Sequence, residues 1–152
     1  MSVGRRQAAK KNEQRTRKFE KLAQEILRMR GRRRTHVHVF LVGNQMLRDM
    51  KRKFLKKDAR VVDVLAFEEP KNFPHPEEKE KCIGELYLNA AVVRKEPRHA
   101  VSLFIHGLLH LLGYRHGRPG DARVMTRQEG RLARTVFASR RMRPVIRAIT
   151  ER

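Results

Sequence analysis

The sequence has one cysteine, no tryptophan and few aromatic residues, and these absences already exclude several classes of protein. With Cys82 alone no disulfide framework can form, which is typical of a reducing compartment. Because Cys82 directly precedes an apolar segment, we interpret it as a small buried residue rather than a catalytic thiol. The longest apolar run, 101–114, is too short to cross a bilayer, and the N-terminus lacks the apolar segment of a signal peptide. We therefore predict a soluble cytoplasmic protein that has no membrane partner.

Acidic residues are also scarce. The chain has 16 Asp and Glu against 37 Lys and Arg, a formal net charge of +21. The excess is uneven, with +10 in residues 1–34, +7 in 35–137 and +4 in 138–152. Solubility alone does not need so large a charge, and a field of this sign favours polyanions, of which nucleic acid is the commonest. The charge therefore predicts binding to nucleic acid or to a ribonucleoprotein.

The apolar residues cluster in 35–67 and 83–137, which is enough for one domain of ordinary size. We assign the domain to 35–137. A basic helix or arm over 1–34 precedes it, and a basic, loosely held tail over 138–152 follows it. Nothing in the sequence indicates the oligomeric state.

Hydrophobic periodicity predicts an alternation of helices and strands. We expect a central, nearly continuous apolar strand over 61–67 and a helix over 97–112 that is buried on almost all sides and ended by Gly113. The remaining predicted elements are a helix over 7–30, a strand over 35–42, a helix over 44–57, a strand over 83–93 with a bulge at Gly84, and a last helix beginning at Pro119. This order predicts an α/β or α+β domain with a single small mixed sheet and helices packed on it.

Two of these elements carry polar residues on one side. In the strand over 35–42, His36 and His38 alternate onto one face, and we interpret them as polar residues of a half-exposed strand. In the helix over 44–57, Met46, Leu47, Met50 and Phe54 are expected to pack inward. The opposite side of that helix is basic. The candidate RNA-binding residues there are Arg52, Lys53 and Lys57.

The stretch IHGLLHLLGYRHG, residues 105–117, carries the clearest chemistry. His106 and His110 are four residues apart, so their imidazoles lie on the same face of a helix. Gly113 lets the chain reverse and brings His116 towards the same point. Three imidazoles leave one position of a tetrahedral metal ion open, as in catalytic zinc sites. The spacing predicts one zinc ion, although three imidazoles also suit nickel, copper or iron.

The metzincin metalloproteases share this spacing of three histidines and a glycine, and the helix is zincin-like in that sense. Those enzymes have a glutamate directly after the first histidine, where this chain has Gly107. The glutamate takes the proton of the attacking water, so its absence argues against peptide hydrolysis. A peptidase would need another glutamate at the site, for which Glu85 and Glu129 are candidates.

The same stretch resembles the signature of the YbeY family, metal-dependent endoribonucleases of ribosomal RNA maturation. HGLLHLLGYRH matches the family's HGxLHLxGYDH pattern except at Arg115, where most members have aspartate. VDVLAF at 62–67 resembles the family's TDVLSF strand, and IGELYL at 83–88 resembles another strand. Met125 and Glu129 fit the M-x-x-x-E of the last helix. The resemblance covers roughly 35–135.

The resemblance implies a compact α/β fold, hydrolysis of RNA phosphodiesters, and action in rRNA maturation and ribosome quality control. It also implies one zinc ion held by His106, His110 and His116. The expected partners are rRNA and the small ribosomal subunit, with no small-molecule cofactor.

The resemblance also suggests further catalytic residues. A basic residue that precedes the TDVLSF strand is arginine in the family. The gapless register puts Lys56 there, with Arg52 and Arg60 as close substitutes. Arg115 cannot accept a proton but can clamp a phosphate beside the metal. Asp63 is then the remaining carboxylate for orienting a ligand or positioning RNA, or else a structural residue that caps a turn.

A binding module remains the alternative to an enzyme. In that hypothesis the chain is a ribosome-assembly factor, and its metal only stabilises the fold.

Overall fold

The computed structural model describes residues 2–55, 63–70, 79–115 and 117–151, and these form six helices and three strands. The helices are α1 (Val3–Met29), α2 (Asn44–Leu55), α3 (Ala90–Lys95), α4 (Pro97–Leu111), α5 (Pro119–Ala138) and α6 (Arg143–Thr150). The strands are β1 (Thr35–Val42), β2 (Val64–Glu68) and β3 (Lys81–Asn89). None of the described helices is both long and apolar enough to cross a membrane.

The strands form one mixed sheet in the order β1-β3-β2, in which β3 pairs parallel with β1 and antiparallel with β2. The predicted α+β architecture with a single mixed sheet is therefore confirmed. The predicted central position of the strand over 61–67 is wrong, because β2 lies at an edge of the described sheet and β3 is central. Residues 61 and 62 lie outside the described residues. The strand is rich in apolar residues because α4 packs on one of its faces and α2 on the other.

The strand predicted over 83–93 is shorter at its C-terminal end. β3 stops at Asn89, whose side chain accepts a hydrogen bond of 2.9 Å from the backbone amide of Ala91 and so caps α3. The bulge at Gly84 is confirmed, since β1 pairs with Cys82 and then with Gly84, which leaves Ile83 without a β1 partner. Gly84 has φ +153°, and a Cβ there would contact the carbonyl oxygen of Phe67. Glycine is therefore required at this position.

Helices α1 and α4 pack on the sheet, and α4 is the buried helix that the sequence predicts. Eight of its 15 residues are buried, and Phe104 contacts Phe19 of α1 with ring centroids 5.4 Å apart. Pro97 begins α4. The helix ends just before Gly113, which has φ +103° as expected for a residue that reverses the chain.

The predicted loosely held tail after 138 is wrong. Helix α6 packs on α1, α4 and α5, and it brings Val145 and Ile146 into the same hydrophobic cluster as the residues of α1 and α4. Met142, just before α6, is fully buried. The basic composition of this segment hid a short amphipathic helix.

The prediction for α2 is only partly confirmed. Leu47 is fully buried, but Met46 and Phe54 are 51% and 56% exposed. Phe54 contacts the ring of Phe67 on β2.

The sheet face opposite α4 carries a row of aromatic rings. Phe40 of β1 stacks on Tyr87 of β3, and Tyr87 contacts Phe67 of β2. Burial, the hydrogen bond that Tyr87 donates to Glu85 and the charge of that carboxylate raise the pKa of Tyr87 to about 12. Tyr87 therefore stays neutral near pH 7 and holds Glu85 on this face.

Gly107 provides a test of how closely α4 lies on the sheet. A Cβ at this position would lie 2.8 Å from Cδ2 of Leu86 and 3.0 Å from Cγ2 of Val64. Gly107→Ala should therefore lower the free energy of unfolding by about 1–3 kcal/mol through overpacking. Gly130→Ala on α5 is the matched control. A Cβ there meets nothing within 4 Å, so this change should stabilise the protein by up to ~1 kcal/mol. Urea denaturation of both variants checks the prediction, and equal midpoints would contradict it.

Candidate metal centre

His106 and His110 lie one turn apart on α4, with their Nε2 atoms 3.1 Å apart. The rings are nearly perpendicular, and their centroids are 4.7 Å apart. Both residues are half-buried, and the side chain of His106 is 31% exposed. The sequence spacing therefore predicted correctly that these two imidazoles meet.

Each ring is held through its other nitrogen. Nδ1 of His106 lies 2.6 Å from Oε1 of Glu129 on α5, and Nδ1 of His110 lies 3.1 Å from the carbonyl oxygen of Tyr114. An ionised carboxylate and a carbonyl can only accept, so both Nδ1 atoms carry the proton and donate it. In neutral imidazoles both Nε2 atoms then carry lone pairs.

Two nitrogen lone pairs at 3.1 Å repel each other unless a positive charge lies between them. Either a proton on one ring or a shared metal ion removes the repulsion. Two nitrogens bound to a tetrahedral zinc ion at 2.0–2.1 Å lie about 3.3 Å apart, close to the separation seen here. The hydrogen bond from Nδ1 to a carboxylate or carbonyl is also the usual arrangement around metal-binding histidines. The donor set therefore fits a transition-metal ion.

The third predicted ligand, His116, lies outside the described residues. The chain before it turns back directly after α4. The amide of Gly113 donates to the carbonyl of His110 at 3.0 Å, and the amide of Tyr114 donates to the carbonyl of Leu109 at 3.1 Å.

The two histidines open onto a cavity of about 330 Å³ between α4 and β2. Its walls are the five residues of β2 together with Gly107, Leu111 and Arg115. Gly107, where a metalloprotease has glutamate, faces Leu86 and Val64 so closely that even a Cβ there would force their side chains to shift.

Neither of the two candidate glutamates suits a peptidase. Glu129 is hydrogen-bonded to His106, and Glu85 accepts a hydrogen bond from Tyr87 on the sheet face opposite α4. The geometry gives no support to peptide hydrolysis.

Arg115 lies at the rim of this cavity. Its guanidinium forms an ion pair with Glu68 of β2, and Nη1 donates to the carbonyl of His110 at 3.4 Å. The side chain is 56% exposed. A cation is therefore present beside the histidines, as the sequence predicted, although a carboxylate engages it.

Asp63 lies elsewhere, among polar residues near the end of β3. Its carboxylate accepts a hydrogen bond of 3.3 Å from Asn89, which also contacts Asn44. Among the described residues it does not line the cavity that holds the histidines. This placement favours the structural interpretation of Asp63.

The other predicted site residues belong to α2 or to the segment after it. Arg52 and Lys53 are exposed on the last turn of α2, where they are accessible to a polyanion. Lys56, Lys57 and Arg60 lie outside the described residues.

Two residues near the histidines carry roles that the sequence did not reveal. The M-x-x-x-E motif includes Glu129 but does not indicate that its carboxylate contacts His106. Arg30, at the end of α1, donates to the hydroxyl of Tyr114 at 3.3 Å and to Oε1 of Gln128 at 3.1 Å. It thereby holds the residue whose carbonyl orients His110. No local spacing predicts these contacts, because each joins residues of different elements that are at least 23 positions apart in the chain.

If Glu129 orients His106 as a metal ligand, Glu129→Ala should weaken zinc binding by roughly 10- to 100-fold. Glu129→Gln keeps an acceptor oxygen and should lose less. Asp121→Ala, an exposed carboxylate on the same helix, is the control and should leave the affinity unchanged. Competition with a chromophoric chelator measures all four proteins. Equal affinities for the Ala variants would show that Glu129 does not support the site.

Comparison with known proteins identifies the family of the chain. The family model described as Endoribonuclease YbeY matches residues 5–136. Endoribonuclease YbeY of Anaeromyxobacter sp. (strain Fw109-5) is 38% identical over 112 residues, 68% of this chain and 56% of the relative. That of Anaeromyxobacter dehalogenans (strain 2CP-C) is 32% identical over 112 residues, 68% of this chain and 55% of the relative.

The Aquifex aeolicus (strain VF5) protein of the same name is 28% identical over 120 residues, 74% of this chain and 77% of the relative. The chain spans about half the length of the two Anaeromyxobacter relatives. Because the family model matches most of the chain, the chain belongs to the YbeY family.

Proposed function

We propose that this chain is a metal-dependent endoribonuclease that hydrolyses phosphodiesters of ribosomal RNA precursors. The observation that carries the proposal is the pair of Nε2 atoms 3.1 Å apart on rings whose Nδ1 atoms contact Glu129 and the carbonyl of Tyr114. His106 and His110 would hold one zinc ion together with His116. Membership of a family whose members are named endoribonucleases supports RNA as the substrate.

The exposure of the site favours catalysis over a purely structural metal. Structural zinc sites are closed by four protein ligands, whereas catalytic sites keep one position open. Here the histidines border a cavity of about 330 Å³, and the side chain of His106 is 31% exposed. A substrate phosphate can therefore approach them.

A zinc ion at this position would polarise a phosphoryl oxygen and lower the pKa of water to about 7. The residues of the chain supply the remaining steps. Glu129 fixes the orientation of His106, and Arg115 at the cavity rim neutralises charge that grows on the phosphate. To do so, Arg115 exchanges its ion pair with Glu68 for the phosphate oxygens. No described carboxylate lines the cavity beside the histidines except Glu68, so correct placement of the RNA carries much of the catalysis.

A basic groove continues from the histidine cavity and provides a path for the RNA strand. It has a volume of about 690 Å³ and shares Glu68, Leu111 and Arg115 with the histidine cavity. Four further cations line it. These are Arg32, Arg34, Lys79 and Lys81. With Arg115 these cations outnumber the carboxylates of the lining, which are Glu68, Glu69 and Glu80. Together with Arg52 and Lys53 on α2, the four cations are the described residues that we assign to the RNA backbone. Lys57 extends this assignment beyond the described residues, whereas Lys56 and Arg60, which also lie outside them, are assigned with Arg115 to neutralising charge on the reacting phosphate.

The cellular setting is part of the same proposal. The net charge of +21 suits a surface formed largely of RNA, and we assign the chain to the small ribosomal subunit in the cytoplasm. Asp63 has a structural role in this proposal, since its carboxylate accepts a hydrogen bond from Asn89 at the end of β3.

The double variant His106→Ala/His110→Ala should not bind zinc. Its cleavage rate should fall by at least roughly 100-fold, because removal of a residue that only supports a metal ligand already lowers activity by up to about that factor. Cleavage of a labelled rRNA precursor by the zinc-loaded protein measures the rate. His99→Ala, an exposed histidine on the same helix, is the control and should remain active. If the double variant cleaves as fast as the parent, metal catalysis is wrong. If the zinc-loaded parent binds RNA but cleaves none at any concentration, the binding module is the correct function.

The groove gives a second test. Replacing Arg32 and Arg34 by alanine should weaken binding of single-stranded RNA and reduce the slope of log K against log salt by up to about 1.4. Arg131→Ala/Arg134→Ala removes the same charge from exposed positions on α5 that line none of the described cavities. Binding measured by fluorescence anisotropy at several salt concentrations compares the pairs. Equal slopes would show that the groove is not the RNA path.

A further inference from the structure

We infer that the chain has a second transition-metal site, formed by His36 and His38 of β1 and Cys82 of β3. One potential ligand atom from each of the three residues lies within 4.8 Å of the other two. The rings of His36 and His38 are nearly perpendicular, with centroids 5.1 Å apart. None of the three lines the cavity of His106 and His110, and the inference does not depend on the proposed function.

The sheet itself builds this cluster. His36 and His38 are two residues apart on one strand, so they project from the same face. Cys82 pairs directly with His36 in the parallel register, and the bulge follows this pair at once. A bulge re-aims the side chains beside it and is a frequent feature next to binding sites. The three ligands therefore come from rigid, adjacent strands and need no loop to close.

His36 supplies an independent indication of a ligand. Its Nδ1 atom is buried and forms no hydrogen bond among the described residues. A buried polar atom without a partner is unfavourable and calls for an explanation such as an ion. Oε2 of Glu80, the acidic atom recorded near it, is 3.8 Å away, too far for a hydrogen bond but suited to supply a fourth ligand after a small movement.

The donor set selects the ion. One thiolate and two imidazoles favour zinc over magnesium or calcium, which prefer oxygen ligands. Around zinc, ligand atoms lie about 3.3–3.7 Å apart. The exposed side chain of His38 can rotate to close the cluster to that size, whereas the buried Cys82 stays in place. The bound ion would link β1 to β3 and stabilise the sheet.

Cobalt(II) is the probe for this site, because a thiolate ligand gives it a charge-transfer absorption in the near ultraviolet that imidazoles do not give. Since Cys82 is the single cysteine of the chain, any such band reports on this site alone. Titration of the full chain should produce the band, which reaches its full strength when one ion occupies the Cys82 site, and zinc should abolish it. His110→Ala should keep the band while it loses zinc from the other site, so the two sites are distinguished.

Three variants decide the inference. Cys82→Ser should lose the band and His38→Ala should weaken cobalt binding by at least roughly 10-fold, whereas His99→Ala, an exposed histidine outside both sites, should leave it unchanged. His38 is exposed, so its variant should fold normally, which circular dichroism checks. Absence of the band in the folded parent protein overturns the inference. A band of full strength in His38→Ala also overturns it, because the thiol alone would then be binding cobalt.

Discussion

Helix α4 has to fill the core and hold the imidazoles of His106 and His110 together at the same time, and its close packing on β2 and β3 makes both possible. Gly107 has no side chain, so Leu86 and Val64 fill the space against the helix. The side of α4 that carries His106 and His110 borders the cavity beside β2. Helix α5 packs on α4 and brings Glu129 into contact with His106. The two imidazoles are therefore fixed by an element whose own position is set by the core, which favours a precise site.

Local spacing was sufficient to predict the histidine pair and the turn that follows it. Residues four apart on a helix always share a face, and Gly113 has the positive φ that ends the helix. The partners of the histidines could not be predicted in this way. Glu129 is 23 residues from His106, and Arg30 is 84 residues from Tyr114. Such contacts depend on how whole helices pack, which no short pattern records.

The wrong predictions about the fold also arise because a short sequence pattern does not record how whole elements pack. The apolar pattern of β2 indicated contacts on both faces, which α4 and α2 provide, although only Leu65 is buried. Such a pattern reports on the faces of a strand and not on whether another strand pairs along each of its edges. The residues after Asn89 are apolar enough for either a strand or a helix, and only the cap on Ala91 decides. The segment of α6 is so basic that its composition predicts a solvent-exposed tail, although Val145 and Ile146 are buried.

Arg30 connects the long first helix to His110 through hydrogen bonds. It ends the 27-residue α1 and holds the side chain of Tyr114, whose carbonyl in turn holds the ring of His110. The exposed N-terminal half of α1 is basic and can bind a polyanion, whereas its other end is buried in the core and reaches His110 through Arg30 and Tyr114. One helix therefore combines a surface that attracts polyanions with a chain of hydrogen bonds that orients an imidazole, and the core fixes the distance between the two.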